Sequence, residues 1–214
     1  MKSRVLLGLC IAIAAGAAFA LSPDGLVPVQ SRYLDHVYLR PDADLAAYRK
    51  VLIDSVHVEI RNDWLTRMNA YSWSASRSVG PEEGLRIARD TAFSLQGILA
   101  EAFRARGYEI VAAPEPGVLR VSPSVIDLYV NAPVRVSPWR TKTFTRDAGE
   151  ATLLLEARDA MSGGLLGQVV HHGIAREMGG QLMLTDDVTN RFWFDALFRR
   201  WAESCVAEFG AGKH

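Results

Sequence analysis

The order of hydrophobic and polar residues predicts a sheet built from about five strands. Val56, Val58 and Ile60 alternate with polar residues, and this period of two places one set of side chains on a buried face. Pro123 cannot donate a ladder hydrogen bond, which predicts a bulge or an edge position near this residue. A short Ser-Gly-Gly turn at 162–164 predicts that the strands on either side of it pair antiparallel. Strands are expected over residues 51–60, 108–112, 118–130, 149–159 and 165–176.

Apolar residues at helical spacing predict two long helices, over residues 81–106 and 187–209. Pro81 suits a first helical turn, and Gly107 suits the position just after a last turn. The apolar faces consist of Leu85, Ala88, Ala92, Leu95, Leu99, Ala102 and Phe103 in the first helix, and of Phe194, Leu197, Phe198, Trp201, Cys205 and Phe209 in the second. Because both faces need a sheet to cover them, we expect a two-layer α+β fold. It should contain a mostly antiparallel sheet of about five strands with the two long helices packed on one face.

The first 20 residues have the pattern of an export signal. Lys2 and Arg4 precede an apolar run from Val5 to Phe19, and Ala18-Phe19-Ala20 supplies the small residues that signal peptidases recognise. We therefore expect the mature protein to lie in the periplasm.

This interpretation divides the chain into a signal peptide at 1–20, an extended leader at 21–32 and a single domain at 33–214. Cys10 follows Leu9, whereas a lipoprotein signal has a small residue before its cysteine, so we expect no lipid there. Membrane contact is expected only if residues 5–21 are retained as an anchor, or if Cys10 does carry a lipid.

The charge balance argues against a nucleic-acid partner. The 214 residues carry 24 basic and 24 acidic side chains, and loss of Lys2 and Arg4 would leave an excess of about two negative charges. Nucleic-acid-binding domains instead carry a clear positive excess. Once the signal is removed, Cys205 is the single cysteine, so no internal disulfide can form.

No motif in the sequence identifies a catalytic residue, a metal site or a cofactor. His171 and His172 are adjacent in a strand and should point to opposite faces, so they cannot close on one ion. Asp186 and Asp187 precede an apolar helix, where carboxylates stabilise the helix start. Cys205 lies on an apolar stripe and should be a buried, unreactive thiol. The sequence therefore favours a protein without catalytic activity, with an active site built from dispersed residues as the alternative.

Two loops that contain aromatic and basic residues form the candidate binding site. They span residues 61–80 and 131–148, and the predicted binding residues are Trp64, Tyr71, Trp73, Arg135, Trp139 and Arg140. Aromatic faces beside cations suit an envelope protein, a glycan or a lipid headgroup as the partner. The alternative is that the tryptophans fold back as lids over the sheet face opposite the helices.

Several short motifs resemble a known bacterial family. The stretch YLRPDADLAAYRKVLID at 38–54 resembles the opening motif of the envelope family catalogued as domain of unknown function 3313. The resemblance continues at Pro116–Val121, Gly149-Glu150 and Trp201-Ala202, and it covers roughly residues 33–209. It implies an exported, lipoprotein-like protein of the cell envelope with no assigned activity, and it implies no catalytic residue. The chain departs from the family pattern at Cys10 and in the basic, aromatic segment 131–148.

These observations favour an exported, non-catalytic binding or scaffolding domain of the bacterial envelope. The alternative is a periplasmic enzyme or small-ligand-binding protein, whose pocket would lie between the loops 61–80 and 131–148.

Removal of the signal can be measured directly. We expect protein purified from the envelope of its native host to have the intact mass of a chain that begins at Leu21, because cleavage should follow Ala20. Replacing Ala18 and Ala20 by arginine should leave the full-length chain in the membrane fraction. A full-length wild-type chain recovered from the cytosol would contradict export.

Overall fold

The computed structural model describes residues 25–70, 78–131, 144–176, 183–184 and 187–210. Its helices, apart from a 3-10 turn at Leu45–Ala47, are α1 (Trp64–Asn69), α2 (Pro81–Ala105) and α3 (Asp187–Gly210). Its strands are β1 (Val27–Val29), β2 (His36–Leu39), β3 (Lys50–Ile53), β4 (His57–Ile60), β5 (Glu109–Ile110), β6 (Val118–Val130), β7 (Phe144–Thr145), β8 (Gly149–Asp159), β9 (Leu165–Ala175) and β10 (Met183–Leu184). No helix within these ranges is both long and apolar enough to cross a bilayer.

Eight of the described strands form one mixed sheet, in the order β1-β2-β9-β8-β6-β3-β5, with β4 beside β6. The remaining strands, β7 and β10, pair with each other. The fold is therefore α+β, as the sequence predicts, but the sheet is larger than the expected five strands, and it is mixed instead of purely antiparallel. Parallel pairs join β3 to β5, β3 to β6 and β4 to β6.

The prediction of one strand over 51–60 was wrong, because this run forms β3 and β4 with a break between them. β3 pairs with residues 118–121 of β6, and β4 pairs with residues 124–128 of the same strand. One long strand thus serves two short parallel neighbours in succession. Residues 27–29, expected within an extended leader, form β1 and pair with β2.

The bulge expected near Pro123 lies a few residues further along β6. Pro123 keeps its register with Leu155 of β8 and sits opposite the break between β3 and β4. The register shifts between Ile126 and Tyr129 instead, where Asp127 has a φ of 53°. Aspartate tolerates this left-handed backbone better than most residues, so it can occupy the bulge.

Both long helices cover the same face of the sheet. Leu95, Leu99 and Phe103 of α2 are fully buried and belong to one core cluster with Phe198 and Trp201 of α3. The apolar face predicted for α3 is confirmed, since all six of its members are buried. That of α2 is confirmed in part: Leu95, Leu99 and Phe103 are buried, and Ala92 and Ala102 pack partly buried against the core, whereas Leu85 is 67% exposed.

The two helices run parallel, with their first halves side by side. Asp90 of α2 contacts Arg191 of α3 at 3.4 Å, and one turn later Ser94 donates a hydrogen bond to Asp195. The antiparallel pairing of β8 with β9 is also confirmed, and it leaves their connecting turn at the opposite end of the sheet from the starts of both helices.

Glycine at 149 should be essential for the start of β8. Its φ is 142°, and a Cβ there would lie 1.9 Å from the backbone oxygen of Tyr129. We expect Gly149→Ala to lower the free energy of unfolding by about 3 kcal/mol, because it adds a backbone clash to a conformation that alanine disfavours.

Gly97 provides the matched control, since a Cβ there meets nothing within 4 Å in the middle of α2. Gly97→Ala should raise the free energy of unfolding by about 0.5–1 kcal/mol through helix propensity. Urea unfolding curves of both variants test the pair, and equal stabilities would contradict the assignment.

Candidate functional site

The first candidate loop is attached to the sheet through Trp64 and Arg61. The indole Nε1 of Trp64 donates a hydrogen bond of 2.9 Å to the backbone oxygen of Val130, the last residue of β6. The Arg61 guanidinium contacts the Glu150 carboxylate at 2.5 Å, and it lies 5.0 Å from the centre of the Tyr129 ring. These contacts tie α1 to the end of β6 and to the start of β8.

The second candidate loop leaves the sheet at the same place. The backbone N–H of Asn131 donates to Ala148, and its side-chain amide donates to Asp147. Asn190 of α3 donates in turn to the backbone oxygen of Asn131 at 2.8 Å. Burial raises the pKa of Asp147, and the Glu150 carboxylate adds to that rise. Hydrogen bonds therefore join the second loop root to the start of α3.

We call this region the loop end, defined by α1, residues 129–131 and 147–150, and the first halves of α2 and α3. The start of α2 belongs to it because Asn69 of α1 exchanges two hydrogen bonds with Val79, at 2.9 and 2.8 Å. The described roots of the loops 61–80 and 131–148 therefore lie at the same end of the sheet.

Of the six predicted binding residues, Trp64 is the one that the structure describes. It is only 2% exposed, and its ring lies beside Gly84 of α2, so it is part of the core on the helix side of the sheet. This position differs from the alternative expectation of a lid over the opposite sheet face. Five of the predicted binding residues lie outside the described residues: Tyr71, Trp73, Arg135, Trp139 and Arg140. A binding role for this set stays a prediction.

Exposed apolar side chains concentrate at the loop end. In the described ranges, the large apolar residues with high exposure are Tyr33, Leu85, Phe93, Met161, Val188 and Phe192. Four of these six belong to the first halves of α2 and α3, and Phe93 is 85% exposed. Phe93 and Phe192 lie outside the apolar stripes of their helices in the sequence, and this position could have predicted their exposure.

A cleft of about 70 Å³ opens between the first halves of α2 and α3. Its apolar lining is Ile87, Val130, Phe194 and Phe198, and its polar lining is Arg86, Asp90, Thr91, Ser94, Asn190, Arg191 and Asp195. Val130 and Asn190 also contact the loop roots, so the cleft adjoins both loops. The structure places Arg191 and Asp195 of α3 against α2.

The histidines and the cysteine follow the sequence interpretation. His171 faces the helices, where its ring packs edge-on against Trp201, and burial lowers its pKa despite the Asp35 carboxylate at 3.1 Å. His172 lies on the other face, beside Thr152. Cys205 is fully buried, and burial raises its pKa to about 12, so the thiol stays protonated at neutral pH. The described part of the chain contains no cluster of three or more metal-binding side chains.

Three solved structures are similar to the chain at low sequence identity and low TM-score. They are a single-substitution variant of the PelC dodecamer from Paraburkholderia phytofirmans (15% identity, TM-score 0.43, 81% of this chain and 97% of that one), a DUF330-family protein from Xanthomonas campestris (9%, 0.38, 77% and 85%), and a Helicobacter pylori homologue of a neuraminyllactose-binding hemagglutinin (13%, 0.33, 79% and 84%). These scores are too low to transfer an assembly or a ligand. No curated protein sequence matches the chain significantly.

The sequence profile of one family matches residues 18–203, which include every described strand and all but the last turns of α3. This match confirms the resemblance that the short motifs indicate. The chain belongs to the family described as "Protein of unknown function (DUF3313)".

Proposed function

We propose that this protein is an exported, non-catalytic binding or scaffolding domain of the bacterial cell envelope, and that it binds a protein partner through the loop end. The export pattern of residues 1–20 and the family resemblance support the periplasmic location.

The concentration of exposed apolar side chains carries the proposal. Leu85, Phe93, Val188 and Phe192 lie on two neighbouring helices whose first turns adjoin the loop roots. Large apolar groups exposed on adjacent helices can form an interaction site. Aromatic anchors of this kind contribute much of the free energy at protein interfaces.

The electrostatics of the loop end suit a scaffold. The charged groups at the loop roots are used in local contacts, such as the Arg61 guanidinium with the Glu150 carboxylate and the Asp147 carboxylate with the Asn131 amide. Such contacts fix the loop roots in position, and a rigid platform loses little conformational entropy when a partner binds.

A small-ligand-binding protein is the second candidate. The cleft between α2 and α3 favours it, because this cleft adjoins both loop roots and combines an apolar floor with charged walls. Pockets for small molecules commonly have this composition.

Crosslinking in intact cells tests the proposal. We expect Phe93→Ser combined with Phe192→Ser to reduce the recovery of crosslinked envelope partners at least about fivefold, since both exposed anchors are lost. Mass spectrometry of the crosslinked products provides the measurement.

Met161→Ser is the matched control, because Met161 is similarly exposed at 62% but lies in the β8–β9 turn at the opposite end of the sheet. It should retain wild-type recovery. Neither change removes a buried side chain, so the melting temperatures should stay close to that of the wild type. Equal recovery from both variants, or no partner with the wild type, would argue against the proposal.

A further inference from the structure

Strand β4 has an outer edge that lacks a partner strand in the described part of the chain. It pairs with β6 on one side, and none of the described strands pairs with its other side. The two end strands of the sheet are protected, because β1 contains Pro28, which cannot donate a ladder hydrogen bond, and β5 is only two residues long. β4 contains neither proline nor lysine. An open edge of this kind pairs readily with another chain.

The backbone groups of Val58 and Ile60 point to this outer edge. The N–H of Arg61 donates to the backbone oxygen of Leu128 in β6 at 3.0 Å, and backbone groups along a strand alternate between its two sides. The register shift beside β4 leaves this alternation intact, because the additional residue lies on β6, at Asp127. Val58 and Ile60 can therefore each offer a donor and an acceptor to an added strand.

The side chains of β4 give this edge one polar side and one apolar side. His57 and Glu59 are 64% and 62% exposed, and the imidazole Nε2 lies 3.0 Å from the carboxylate Oε1. Val58 and Ile60 are partly buried against the core, on the side where α2 packs. A strand that is added here would therefore meet polar groups on the open face of the sheet and apolar groups on the helix side.

A second, antiparallel copy of β4 complements this pattern in one register. With a two-fold axis beside Val58, the Val58 residues exchange two backbone hydrogen bonds, and His57 of each copy faces Glu59 of the other. Each imidazole can then donate to the carboxylate across the axis. An axis beside Glu59 would place two carboxylates opposite each other, and an axis beside Ile60 would use residues beyond the end of the strand.

Helix α2 presents an exposed leucine at the same edge. α2 packs against β4 and α3 packs against β9, so the flank of α2 opposite α3 lies toward the outer edge of β4. Leu85 is on this flank, because it lies about two and a half helical turns from Ser94, which contacts Asp195 of α3. Leu85 is 67% exposed. A second copy paired at β4 would bring its own α2 alongside and would remove this side chain from water.

We propose that the outer edge of β4 is an interface with a second copy of this chain, so that two sheets join through an antiparallel pair of β4 strands. Two contacts between His57 and Glu59 select the register, and Leu85 of each copy becomes covered. This interface is separate from the partner binding proposed for the loop end. Phe93 lies about 200° around α2 from the buried Leu95, so it points away from the sheet and stays accessible in the dimer.

Sedimentation equilibrium of the purified protein tests the dimer. We expect a reversible monomer–dimer equilibrium whose dissociation constant rises at least about tenfold in Glu59→Lys, because an ammonium then faces His57 at two symmetric positions. Adding His57→Glu to Glu59→Lys should lower the constant again to the wild-type value or below, since each ammonium then faces a carboxylate. Both side chains are mostly exposed, so the melting temperature of the monomer should not change.

Glu203→Lys is the matched control, because it makes the same charge change at an exposed carboxylate of α3, the helix that packs against β9. Its dissociation constant should stay within about twofold of the wild-type value. Phe93→Ser combined with Phe192→Ser should also dimerise normally. Loss of partner recovery in that variant and loss of the dimer in Glu59→Lys therefore test the two proposals separately.

Hydrogen exchange locates the interface, since the amides of Val58 and Ile60 should exchange more slowly in the dimer than in the monomer. A wild-type chain that stays monomeric at every concentration, equal effects of Glu59→Lys and Glu203→Lys, or no restoration by His57→Glu would overturn the proposal. A monomer in which Glu59→Lys reduces the recovery of crosslinked envelope partners would also overturn it, and would assign the edge to an extended segment of another protein.

Discussion

The single apolar face of the central strands is the constraint on which the rest of the structure depends. Val121, Val125, Leu153 and Leu155 are completely buried, and this surface must be covered for the chain to fold. Helices α2 and α3 cover it side by side, with glycine at 173 allowing close approach, since a Cβ there would lie 2.7 Å from Leu197. Because both helices cross the same face in parallel, their first turns lie together, near the end of β6 and the start of β8, where the described roots of the loops 61–80 and 131–148 are attached.

Trp64 shows how this constraint determines the position of the loop roots. Its indole fills space beside α2, and its N–H bonds to the last residue of β6, so one side chain joins the first loop, a helix and the central strand. The Arg61–Glu150 pair and the Asn131 contacts then attach the start of β8 and the start of α3 to the same point. Packing of the core thus brings together the roots of two loops that are separated by about 50 residues of sequence.

The sequence was most informative where patterns are local. The bounds of α2, β6, β8 and β9 follow from periodicity and turn chemistry within one segment, and the structure agrees to within one or two residues. Parallel pairing was missed because β3 and β4 meet β6 through contacts over 60 residues apart, which no local pattern encodes. The break between β3 and β4 lies opposite Pro123 of β6, and a pattern within residues 51–60 does not contain this long-range contact.

Candidate site residues were harder to predict for the same reason. Trp64 was recognised as unusual, but its burial depends on a six-residue helix inside an Asn- and Ser-rich stretch, and such a helix is stabilised by packing more than by propensity. The charged stripe of α3 was visible as Arg191, Asp195, Arg199 and Glu203, but a charged stripe looks the same whether it faces water or another helix. Only the tertiary structure shows that Arg191 and Asp195 contact α2.

The polar seam between α2 and α3 also explains why a cleft exists at all. Where two helices meet through apolar side chains, ridges interdigitate and exclude space. Here the first halves meet through Asp90 with Arg191 and through Ser94 with Asp195, and directional contacts between such groups hold the helices at a fixed separation. The buried apolar side chains of Ile87 and Phe194 also line this gap. A charged rim above an apolar floor is therefore the direct result of using polar contacts to align two helices over one hydrophobic face.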